Sequence, residues 1–89
     1  MMRFTPALVL LALAACAAEA PPDDLRARQT AACTTAIAAH IGRPESEVRA
    51  RWLSETGGIA QVETLDSHRR HLCQVDAGAR VLSYSHPRS

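Results

Sequence analysis

The chain predicts an α+β domain: one N-terminal helix packed on a three- to four-stranded antiparallel meander. Three observations carry that expectation. Residues 24–41 place apolar and small side chains at helical spacing and end at Gly42 and Pro44. After that point the pattern changes to short stretches with two-residue alternation, separated by turn residues at Gly57-Gly58, Asp66-Ser67 and Asp76 to Ala79. The chain is also short, with 89 residues and three cysteines. A core this small is marginal on burial alone and usually needs a covalent staple.

The helix is expected from Asp24 to Ile41, with Asp23 and Asp24 as N-cap candidates that complement the positive end of its dipole. Leu25, Gln29, Ala32, Cys33, Ala36, Ile37, His40 and Ile41 form its inner stripe. The alanines on that stripe would let a sheet approach closely. Gly42 suits the left-handed residue that ends a helix. Residues 45–56 fit either element. Pro44 followed by early Glu45 and Glu47 suits a second helix, whereas a strand would put Val48, Ala50 and Trp52 on one face and Arg49 and Arg51 on the other. The strand is preferred, because Gly57-Gly58 beside it is a hairpin signal. The second strand is Ile59 to Leu65, with Ala60 and Val62 opposite Gln61 and Glu63. The third, Arg69 to Val75, puts His71, Cys73 and Val75 on one face and Arg70, Leu72 and Gln74 on the other. A turn around Gly78 leads to the last strand, Arg80 to Ser85, and residues 86–89 are expected to be a loose tail.

The first sixteen residues follow a different logic. Arg3 is the single charge before an apolar run, Ala7 to Leu13, and small residues follow it. Crossing a bilayer takes about 20 apolar residues. This run is too short, and a charged start, a short apolar centre and a small-residue exit describe an export signal. The stretch closes on Leu13-Ala14-Ala15-Cys16, which resembles the lipobox of bacterial lipoproteins. The resemblance implies that residues 1–15 are removed, that Cys16 carries diacylglycerol and that its new amine is acylated, for example with palmitate. Ala17, where an aspartate would favour inner-membrane retention, then leans towards the outer membrane, with the protein facing the periplasm. Two readings compete: cleavage after Ala18-Glu19-Ala20, which Pro21 disfavours, and a buried N-terminal helix with Cys16 as a small hydrophobe. Residues 16–22 would be a lipidated cysteine and a proline-containing tether, and 23–85 the folded domain.

If Cys16 carries lipid, Cys33 and Cys73 remain as an even pair, expected to join in an oxidising compartment. The layout, with one cysteine in the helix and one in the penultimate strand, is similar to small exported proteobacterial domains. That likeness implies a fold and no activity.

Composition limits what such a domain does. There is no lysine, and without Arg3 nine arginines face nine acidic residues, so no electrostatic case for nucleic acid arises. The only aromatics are Phe4, Trp52 and Tyr84, too few for a stacking platform. His68 and His71 form His-x-x-His, but on a strand entrance they point to opposite faces, so no metal is expected. Cys33 or Cys73 beside His40 or His71 offers a nucleophile pair on paper, against which a structural disulfide weighs heavily. Glu45 and Glu47 read as a solvated face. No cofactor is expected, and the chain reads as a non-catalytic interaction or envelope-structural module, with an inhibitor of a cell-wall hydrolase as the alternative and an enzyme or metal protein as the least favoured. Arg49, Arg51, Leu53 and Arg70 are the candidate contact face, because arginine beside an exposed apolar residue suits an interface.

Overall fold

The computed structural model describes residues 21–87. Leu13, Ala14, Ala15, Cys16 and most of the tether lie outside the described residues. Helix α1 (Asp23–Ile41) is followed by a single 3-10 turn (Glu45–Glu47) and four strands: β1 (Arg49–Thr56), β2 (Ile59–Asp66), β3 (Arg69–Val75) and β4 (Val81–Ser85). The strands form one antiparallel sheet in the order β1-β2-β3-β4, and α1 packs across it. The expected architecture is therefore present, and β1 resolves the ambiguity of residues 45–56 as one 3-10 turn and then a strand.

Helix α1 starts one residue earlier than expected, and its cap differs. Pro22 is the N-cap, with extended backbone, and no side chain caps the helix. The Pro22 carbonyl instead accepts from the amides of Leu25 and Arg26, both at 3.1 Å. Asp23 and Asp24 lie in the first turn, where they still complement the dipole. At the other end Gly42 is left-handed (φ 70°), and the amide of Arg43 reaches back to the Ala38 carbonyl at 3.0 Å, which closes the helix.

The inner face of the sheet is set by register. Ala60 pairs with Val75, Val62 with Cys73 and Thr64 with His71, and all six side chains are buried against α1. From the helix come Gln29, Cys33, Ile37 and Ala38. Cys33 and Cys73 form the disulfide, with Cα atoms 5.9 Å apart and a sequence separation of 40. Closing such a loop removes about 4 kcal/mol of unfolded-chain entropy in the simple model. That is comparable with the whole stability expected of a domain this small.

Gln29 is the polar element in this core. Its Nε2 donates to the Asp76 carbonyl at 2.9 Å, and its Oε1 accepts from the Trp52 indole at 2.8 Å. One buried side chain thereby ties α1 to β1 and to the β3–β4 turn, with its polar atoms satisfied. Arg26 lies 4.7 Å above the Trp52 ring. In the β3–β4 turn the Asp76 carboxylate accepts from the amides of Gly78 and Arg80, both at 2.9 Å. The turn lies around Gly78 as expected, and its left-handed residue is Ala79 (φ 62°).

Both edge strands carry a bulge. Register slips in β1 between Trp52 and Ser54, and β4 slips where Leu82 is left without a partner. The extra residues, Leu53 and Leu82, are both exposed. Bulges of this kind bend an edge away from pairing with another chain.

Candidate functional site

The face of the sheet away from α1 has no element packed on it among the described residues. Strand register arranges its side chains in rows. One row is Arg49, Leu65 and Arg70; the next is Arg51, Glu63, Leu72 and Ser85; the third is Ser54, Gln61, Gln74 and Ser83. One end of the face therefore mixes arginine with leucine, and the other is uncharged and polar.

Glu63 organises the charged end. One carboxylate oxygen accepts from Arg70 Nε at 2.5 Å and the other from Arg51 at 3.2 Å. Its side chain is only 11% exposed, whereas that of Arg51 is 72% exposed. The Arg70 hydrogen bond holds the Glu63 carboxyl below its ordinary value; partial burial opposes this, and the charges of Arg51 and Arg70 add to the lowering. Arg49 makes no ion pair among the described residues, so the face keeps a net positive character. Arg49, Ala50, Arg51, Glu63 and Leu65 line a shallow groove with a largely apolar floor. A second depression, by Gln61, Leu72, Gln74 and Ser83, lies towards β4.

The structure brings three of the four expected contact residues together: Arg49, Arg51 and Arg70 surround the Glu63–Leu65 segment. Leu53 is set apart by the bulge in the edge strand, a break in alternation that composition does not announce. Two residues missing from the expected face, Glu63 and Leu65, occupy its centre. Alternation puts Glu63 on the face opposite Val62, but its place between two arginines follows from register alone.

The catalytic arrangements weighed from the sequence do not form. Both cysteine sulfurs are consumed in the disulfide, so neither is a thiol beside His40 or His71. Among the described residues, no three His, Cys, Asp or Glu side chains are arranged to hold a metal ion. Of the His-x-x-His pair, His68 is exposed in the β2–β3 turn and His71 is buried on the inner face. Glu45 accepts from Thr35 Oγ1 and Glu47 pairs with Arg43, both on the surface. His86, expected in a loose tail, places its ring 4.7 Å from that of His71.

No helix among the described residues is long and apolar enough to cross a membrane. Compared with protein-family models, with curated proteins and with solved structures, the chain matches none.

Proposed function

We propose that the chain is a small bacterial envelope lipoprotein, attached through Cys16, that works by binding a protein partner rather than by catalysis. The observation that carries the binding reading is the sheet face on which no described element packs, where Arg49, Arg51 and Arg70 surround exposed Leu65. Arginine and apolar surface together favour protein contact. The groove there is shallow and open, which suits a partner surface better than an enclosed small molecule.

The anchor reading is supported by Leu13-Ala14-Ala15-Cys16 and by cysteine use. With Cys33 and Cys73 joined, Cys16 is the one cysteine outside the disulfide. One acyl chain gives only marginal membrane attachment, and two or three make it lasting. The tether of residues 17–22 would then hold the domain off the bilayer surface on its periplasmic side, at the outer membrane.

Two measurements test the proposal. Intact mass of the protein isolated from its host should show residue 16 as the first residue, with acyl mass that Cys16→Ser abolishes; a mature chain beginning at Met1 or Pro21 without lipid contradicts the anchor. Affinity isolation after in-cell crosslinking should recover one stoichiometric protein partner that Arg49→Glu with Arg70→Glu loses. A cell-wall hydrolase as that partner would select the inhibitor form. Turnover by the purified domain would contradict the binding reading.

A further inference from the structure

All four histidines lie at the end of the domain where α1 finishes: His40 in the last turn of α1, His68 in the β2–β3 turn, His71 in β3 and His86 just after β4. Three of them converge. His71 is 3% exposed. From α1, His40 meets it edge-on with ring centroids 5.7 Å apart, and from beyond β4 His86 does so at 4.7 Å. From β4, Tyr84 lies 4.9 Å from the His40 ring, and its hydroxyl is 3.3 Å from His40 Nδ1. From β2, Thr64 sits opposite His71, and neither Thr64 Oγ1 nor His71 Nδ1 has a hydrogen-bond partner among the described residues. The charged groups nearest by are Asp66 at the end of β2 and Arg69 at the start of β3.

A proton on His71 would therefore put a buried charge beside two more imidazoles with no carboxylate in contact. Burial, then His86 and His40, hold His71 below its ordinary value; Asp66 opposes this and Arg69 adds to it. The weakest member of the cluster is His86. It makes no hydrogen bond or ion pair among the described residues, its ring contact ties it down, and it is the only one of the three outside a helix or strand. Repulsion is relieved most cheaply by moving that residue away.

We propose that His86 is an acid-released latch over His71: it is docked while His71 is neutral, and it is displaced when a proton enters His71. Release would uncover the His71 ring without unfolding α1 or the disulfide-linked core. This inference stands independently of the partner-binding proposal.

Nuclear magnetic resonance on the purified protein, titrated from pH 8 to pH 5, tests it. The backbone heteronuclear NOE of His86 should fall in step with the His71 ring shift, with a midpoint below the 6.5 of a free imidazole. His71→Phe should keep His86 ordered across the range. If that variant fails to fold, His40→Gln decides, because loss of one neighbouring imidazole should move the release midpoint upward. An ordered His86 at pH 5 while His71 titrates overturns the latch, as does release at the same pH in the variants.

Discussion

On the inner face of the sheet Ala60, Val62, Cys73 and Val75 have no exposed surface, while on its outer face Leu65 is 38% exposed and the Arg51 side chain 72%. The inner side is made of small and β-branched residues, which let α1 come close enough for a disulfide and for Gln29 to reach both Trp52 and Asp76. The charged end of the outer side is made of long side chains that pair across strands through Glu63, and no element among the described residues packs on them. Fold energy is concentrated on one face. The other is free to vary without unfolding the domain, which is what a contact surface on a very small protein requires.

The largest test of that division is the staple. Replacing Cys33 and Cys73 together by alanine should remove about 4 kcal/mol, leaving little or no folded population in urea titrations. A cooperative transition of nearly unchanged midpoint would place the stability elsewhere. Next comes Gln29→Leu, which keeps the volume but strands the Trp52 indole and the Asp76 carbonyl. It should cost about 1–3 kcal/mol by the same measurement.

The β3–β4 turn should respond in the opposite direction. Ala79 holds a left-handed conformation, so Ala79→Gly should stabilise the domain by about 1 kcal/mol. The smallest effect belongs to the outer face: Arg49→Glu with Leu65→Ser should leave stability within about 0.5 kcal/mol while removing partner capture.

Acid separates the two faces as well. His71 is held neutral in the folded state, so the unfolded chain binds its proton more readily, and stability should fall as pH drops below 6.5. Glu63 is held ionised by its arginines. Its contribution is complete above its ordinary 4.5 and is lost as pH falls through its lowered value. Stability against pH should thus show two acid limbs: His71→Phe removes the upper one and Glu63→Gln the lower.

Much of the fold was legible because period and punctuation agree. Gly42, Pro44 and Gly57-Gly58 mark boundaries by backbone geometry, and β3 runs from Arg69 to Val75 as alternation predicts. What stayed hidden depends on register or on contacts distant in sequence. The bulges at Leu53 and Leu82 have no compositional mark, so alternation alone misplaces Leu53. Ala38 is buried although the helical stripe omits it, because the sheet covers more of α1 than a narrow seam. His40 and His86 flank His71 only after β4 returns beside β3, a consequence of topology that no local window carries. The candidate contact face was half legible: its arginines stand out by alternation, whereas the central Glu63–Leu65 segment emerges only when β1, β2 and β3 are laid side by side.

The division of labour between the faces is tested most directly by one pair of photocrosslinker placements in living cells, at Leu65 on the open sheet face and at Ala39 on the exposed side of α1. The account predicts a discrete protein adduct from position 65 and none of that mass from position 39. Equal adducts from both positions, or an adduct from position 39 alone, would contradict it.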